Sequence, residues 1–350
     1  MHRPVHAPFQ AVEHRHQSRV LAGNPWGDPA ERSLWVLVPP GGLPDRPVPC
    51  IWLLSGFGGT GATQLNFNPW EETLPERLGR LYAEGRIGPA VFALPDCFTY
   101  LGGSQYLNSP AVGRYEDYVV GELVPLVEGL YPIAAHGVAG KSSGGYGSFM
   151  LASRHPQVFQ AFACHSGDMA FEYCYLPDFP KFLDHVRQLG GLKAYVDAYR
   201  QLRARGQSLN RSWQASLNIF AMAACYSPDP AEPYGIALPV DLETGALRPA
   251  VWERWLAHDP VRLAPQVAAA LRRLRLVYID CGRQDEFNLL WGARQLHRAL
   301  VELGIDHTYE EFDGGHFGIA HRYDVSLPLL YRVLAEGAGG GPAGGPAGNG

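Results

Sequence analysis

The chain has 350 residues, 46% hydrophobic and 18% charged, which is enough to bury a substantial core and too apolar for a disordered protein. A formal net charge of −5 gives no electrostatic reason to expect nucleic acid or an anionic membrane as a partner. Six cysteines without C-x-x-C spacing, no signal-peptide apolar core and no bilayer-length apolar run predict a soluble cytoplasmic protein with free thiols.

Residues 1–17 hold His2, His6, His14 and His16 at no recognised ligand spacing, so we expect a polar N-terminal lead-in and no metal. Apolar runs at 18–21 and 34–38 predict short strands on either side of a Gly/Asn/Pro-rich turn. The continuous run 51–54 predicts a strand buried on both faces. The turn after it, Ser55-Gly56-Phe57-Gly58-Gly59-Thr60-Gly61, lacks the Lys-Ser/Thr of a phosphate loop. It suits a backbone that aims N–H groups at a reacting carbonyl. A helix over 74–83 and a buried strand over 90–94 follow. The 97–112 loop then stands where ligand crevices form, at the carboxyl end of a parallel strand. Residues 115–130 have helical spacing.

The stretch 136–150, HGVAGKSSGGYGSFM, reads as strand, tight turn and helix. Gly140-Lys141-Ser142-Ser143-Gly144 fits G-x-S-x-G, a turn that exposes a serine and requires small residues two positions either side. Taking Ser143 as the nucleophile would put the bulky Lys141 at one of those positions, so Ser142 is preferred.

A strand is expected over 158–164. Residues 169–260 then break the short β-α rhythm with aromatic-rich segments and helical patterns near 182–189, 192–202 and 213–225. We read this stretch as a cap inserted into the core domain, because crossover connections are normally shorter. Its aromatics suggest a pocket for an apolar or planar group. The core resumes with a strand at 274–280, a helix over 289–303, a last strand at 308–312 and a closing helix near 327–334. The Gly/Pro/Ala tail at 336–350 is expected to be disordered. Together these elements predict an α/β-hydrolase domain over 18–335, with a mainly parallel sheet, helices on both faces and a helical cap insertion.

A serine hydroxyl needs an adjacent base, and the base needs a carboxylate. In this fold they follow in the order Ser, Asp/Glu, His. Asp285 stands after the penultimate strand, with Asp280 and Glu286 as rivals. His316 stands after the last strand and is preferred over His307 and His321. The backbone N–H groups of Phe57 and Ser143 are expected to form an oxyanion hole. Ser55, Gly56, Asp96, Tyr106, Lys141 and Asp168 are candidates for substrate contact. The chemistry is serine-dependent cleavage of a small-molecule carboxylic ester with no cofactor. Acyl transfer, or a non-catalytic binding module of the same fold, are the alternatives.

The segments GNPWGDP, LWVLVPPG, IWLLSGFGG, GRYEDYVVGELVPLVE, AGKSSGGYGS, CGRQDEF and GGHFG resemble, in this order, the putative-esterase family. That α/β-hydrolase group includes S-formylglutathione hydrolases, enterochelin esterases, feruloyl esterases and mycolyltransferases. The resemblance implies Ser142 as nucleophile, Asp285 as acid, His316 as base, and the amides of Phe57 and Ser143 as oxyanion hole. This chain has Ser55-Gly56 where the family often has His-Gly, and Ser143 where it often has Met.

Overall fold

The structure is a computed structural model that describes residues 6–336. Its strands are β1 (Gln10–Gln17), β2 (Glu31–Val38), β3 (Val48–Leu54), β4 (Val91–Pro95), β5 (Asn108–Ser109), β6 (Gly113–Arg114), β7 (Ile133–Lys141), β8 (Phe159–His165), β9 (Leu276–Gly282) and β10 (Thr308–Phe312). The helices before β8 are α1 (Leu74–Ala83), α2 (Tyr115–Asp117), α3 (Val124–Leu130) and α4 (Ser143–Arg154). Between β8 and β9 come α5 (Phe171–Cys174), α6 (Phe179–Leu189), α7 (Leu192–Ala204), α8 (Arg211–Tyr226), α9 (Pro249–Leu256) and α10 (Pro260–Leu271). Helices α11 (Leu289–Glu302) and α12 (Tyr323–Glu336) complete the described residues.

Eight strands form one sheet in the order β1-β2-β4-β3-β7-β8-β9-β10. It is parallel from β4 to β10, and β1 and β2 add antiparallel pairs at one edge. Along β3 the side chains alternate between two cores, which is why the whole run is apolar. Ile51 and Leu53 join Leu78 and Leu81 of α1 and Leu327, Leu330 and Leu334 of α12. Trp52 and Leu54 join Phe149 of α4 and the helices of the opposite face. This is the α/β-hydrolase fold.

Two local expectations are corrected and a third is refined. Residues 10–17 of the expected lead-in are the edge strand β1, with Gln10 opposite Val38 and Gln17 opposite Glu31. Its polar sequence hides it, because an edge strand with both faces largely wet needs no apolar alternation and gains from charges that deter further pairing. His14 contacts the Tyr131 hydroxyl (2.7 Å) and His16 the Glu122 carboxylate (3.1 Å). Residues 18–21 form a turn instead of a strand, with the Ser18 hydroxyl accepting the Leu21 amide at 3.1 Å. The pattern over 115–130 is one axis with a π-helical segment, Tyr118–Leu123, between α2 and α3. Pro125 has no N–H to give the preceding turn, and the ladder widens there. The Gly/Pro/Ala tail beyond 336 lies outside the described residues.

Sequence patterning missed α9 and α10. Helix α10 starts on Asp259, whose carboxylate caps the Val261 amide (3.0 Å) and also holds the Ala170 and Phe171 amides (3.0 and 2.8 Å). It packs on α4 and α11, as the crossover between β8 and β9 should. Residues from 169 to Asp259 are therefore an excursion that precedes the crossover helix.

Just before α10, His258 is half-buried, and its solvent-shielded Nδ1 lacks a hydrogen-bond partner among the described residues. Burial, with a smaller push from Arg154, lowers its pKa from 6.5 to about 4. Between these values the unfolded chain takes up a proton that the folded chain refuses. This contribution to stability is therefore full above pH 6.5 and is lost as pH falls toward 4. His258→Phe is expected to flatten the decline of stability with acid in that window, measured by urea unfolding at stepped pH. An unchanged slope would contradict the assignment.

Candidate active site

The turn between β7 and α4 has almost no spare volume. Ser142 is held at φ 59° and ψ −127°, a strained region for a residue with a Cβ. Its amide donates to the His165 carbonyl (2.9 Å), and its carbonyl accepts from the Tyr146 amide (2.9 Å). A Cβ on Gly140 would lie 2.5 Å from the Gly144 backbone and 2.8 Å from the Leu54 oxygen. A Cβ on Gly144 would collide with that same Leu54 carbonyl. The small-residue requirement read from the motif is thus a contact between the ends of β3 and β7 and the start of α4. Ser143 is the first residue of α4, so its N–H has no intrahelical partner and lies at the positive end of the helix.

The β3 turn comes up beside this elbow. A Cβ on Gly56 would lie 3.4 Å from the Ser142 Cβ. The Gly58 amide donates to the Gly102 carbonyl (2.8 Å), and Gly102 and Gly103 pack against the Phe57 ring. The 97–112 loop therefore fixes the Phe57 backbone.

His316 lies in the loop after β10, with its side chain 5% exposed and that of Asp285 fully buried. Its Nδ1 is 2.8 Å from the Asp285 carboxylate. The other Asp285 oxygen accepts the Phe287 amide (3.0 Å), which fixes the carboxylate's orientation. The rival residues have other work. Asp280 is buried against His165 (2.8 Å), Tyr278 (2.9 Å) and Arg322 (2.7 Å). Burial alone would raise its pKa, but His165 and Arg322 hold it below the ordinary carboxylate range. Glu286 accepts the His316 backbone amide (2.6 Å), so it holds the loop and not the ring. His307 pairs with His297 (2.7 Å), and His321 is exposed beside the Gly318 carbonyl.

Ser142, Ser143, Phe57 and His316 line one cleft of about 1360 Å³, together with Ser55, Gly56, Lys141 and Asp168. Asp285 stands behind His316. Asp96 and Tyr106 are not in the wall of this cleft, which corrects two of the expected substrate contacts. Asp96 instead accompanies the buried Arg32 (3.5 Å) and caps the Phe98 amide (3.0 Å). Tyr106 packs on Gly147 and donates its hydroxyl to the Ser55 carbonyl (2.7 Å), bracing the β3 turn from behind.

Sequence reasoning did not foresee the network around Asp168. One oxygen of this buried carboxyl accepts from Ser143 Oγ (3.1 Å), Gln105 Nε2 (3.0 Å) and the Tyr175 hydroxyl (3.1 Å). Burial raises its pKa above the ordinary range, against the opposing pull of Gln105, His316, Tyr175 and Ser143. Gln105, Tyr106, Ser166 and Ala170 all have positive φ around this network. No spacing rule connects 105, 143, 168 and 175, so only the fold reveals the cluster.

Asp285→Asn is expected to lower kcat by roughly 10,000-fold through the wrong imidazole tautomer. Glu286→Ala, which frees only the loop amide, should cost about tenfold. Steady-state kinetics on one neutral ester compares the two, and a larger loss for Glu286 would reverse their roles.

A family described as Putative esterase matches residues 29–318. Among solved structures, the chain is similar to a ferulic acid esterase at 19% identity and TM-score 0.58, covering 93% of this chain and 99% of that one. It is similar to an S-formylglutathione hydrolase from Agrobacterium tumefaciens at 18% identity and TM-score 0.54, covering 94% and 96%. It is also similar to FphF, a fluorophosphonate-binding serine hydrolase of Staphylococcus aureus, at 16% identity and TM-score 0.55, covering 95% and 100%. Identities this low speak for the fold, and no curated protein sequence matches the chain. With the family match spanning most of its length, the chain belongs to the Putative esterase family and is a serine-dependent carboxylic ester hydrolase.

Proposed function

We propose that Ser142 is the nucleophile of this esterase, His316 its general base and Asp285 the carboxylate that orients the base. The observation that carries this reading is the 2.8 Å contact from His316 Nδ1 to Asp285, made beside the cleft that the strained Ser142 also lines. With Nδ1–H committed to the carboxylate, Nε2 is the nitrogen left to take the Ser142 proton. The serine oxygen attacks the acyl carbon. The amides of Phe57 and Ser143 hold the oxygen that becomes negative. His316 then gives its proton to the leaving alcohol, and water admitted by the same base releases the acyl group. Asp168 is a positioning residue in this scheme, because its bond to Ser143 Oγ fixes the residue whose amide serves the hole.

We read the 169–259 excursion as the cap over this cleft, since Pro177, Lys181, Arg211 and Asn218 line the cleft with the residues named above. The substrate is a small-molecule ester. No helix among the described residues is long and apolar enough to cross a membrane, and all six cysteines are buried and free. We take the free thiols as support for a reducing, cytoplasmic setting.

Ser142→Ala is expected to abolish turnover of 4-nitrophenyl acetate while the circular dichroism spectrum and urea midpoint stay near wild type. Retained turnover in the folded variant would remove Ser142 from the mechanism.

A further inference from the structure

The abundance of aromatic residues in the excursion suggested an apolar substrate pocket, but of these residues Tyr175 is the one that lines the cleft. Most pack on one another: Phe179 against Trp252 and Trp255, Phe182 against Tyr195, and Tyr195 against Trp213. What α8 turns toward the cleft is Arg211, Gln214, Ala215 and Asn218. These positions follow the i, i+3, i+4, i+7 spacing of one helix face. That wall of the cleft is polar and carries a cation.

The charges lining the cleft can be sorted by their partners. Lys181 pairs with Asp178 (2.6 Å). Glu286 is committed to the His316 amide, and Asp168 to its three donors. Glu71 is exposed, and water solvates it. Lys141 and Arg211 remain, and neither has an ion pair or hydrogen-bond acceptor for its side chain among the described residues. Arg211 is exposed, but Lys141 is only half-exposed. Burial draws the Lys141 pKa down, against the opposing pull of the Asp285 and Glu286 charges. Its Nζ has the Phe317 ring 4.9 Å away, which compensates an ammonium only in part. A partly desolvated cation beside the nucleophile, without an anion of its own, is a cost that a bound anion would remove.

We propose that the preferred ester carries a carboxylate or similar anionic group near its scissile bond, and that Lys141 receives this group, with Arg211 assisting from the facing helix. The proposal rests on the reading of Ser142 as nucleophile. It assigns to Lys141 discrimination between substrates, separate from the bond-breaking steps.

Two matched ester pairs test it. On the acyl side, the 4-nitrophenyl monoester of glutarate is compared with 4-nitrophenyl valerate. On the alcohol side, 4-acetoxybenzoate is compared with phenyl acetate. The readout is the ratio of kcat/KM for the anionic ester to that for its neutral partner, which cancels general losses in a variant. In one pair, Lys141→Met is expected to lower this ratio about tenfold or more, and Lys141→Arg to retain most of it. Arg211→Met, at an exposed position, is expected to lower the same ratio about threefold, and added salt should do likewise. The responding pair identifies the side that bears the charge. Ratios unchanged by all the substitutions in both pairs, while Ser142-dependent hydrolysis of the neutral esters persists, would overturn the proposal alone. Hydrolysis that does not depend on Ser142 would overturn the nucleophile assignment and this proposal with it.

Discussion

The arrangement depends on a lack of space where β3, β7 and α4 converge. The Leu54 carbonyl, the Gly140 backbone and the Gly144 backbone lie so close that none tolerates a side-chain carbon at the two glycines. This crowding forces Ser142 into its positive-φ conformation and lifts its side chain into the cleft. It also brings the free amide of Ser143 beside the Gly56–Phe57 turn, so the proposed nucleophile and the proposed oxyanion donors share one packing constraint. The strain is held by cores on both sheet faces, which leave the elbow no relaxed alternative.

Four acidic residues near the strand ends show how environment separates chemically similar groups. Asp280, between His165 and Arg322, is a stabilised buried anion that ties β8, β9 and the turn before α12 together. Asp285 points one oxygen at an imidazole and has the other held by a backbone amide. Glu286 spends an oxygen on the backbone of the same loop. Asp168 is enclosed by neutral donors, and burial favours its protonated form. These roles follow from which neighbours supply charge and which supply only N–H or O–H groups.

The excursion between β8 and α10 has the make-up of a small accessory layer. Most of its aromatic residues form its own interior, Tyr175 lines the cleft, and the α8 wall of the cleft carries Arg211, Gln214 and Asn218. Burying these aromatics holds helices α6 to α9 together on the sheet domain. It leaves recognition to side chains such as Arg211 and Asn218 that can meet a solvated ligand.

By itself the sequence determined the fold class and the succession of core elements along the chain, and it singled out Ser142, Asp285 and His316, the residues we propose as the triad. Each of these leaves a local signature: continuous apolar runs for strands buried on both faces, a glycine pattern for a crowded turn, and polar residues placed just after strands. It did not disclose β1, whose edge position asks for no apolar pattern. It did not show that Asp96 and Tyr106 work behind the cleft, or that most aromatics of the 169–259 excursion pack on one another. Only the tertiary structure decided the Asp168 network and the unpaired state of Lys141. Both depend on which side chains distant segments bring within a few ångströms, and on how much water the packing leaves around them. Neither is encoded in the spacing of residues along the chain.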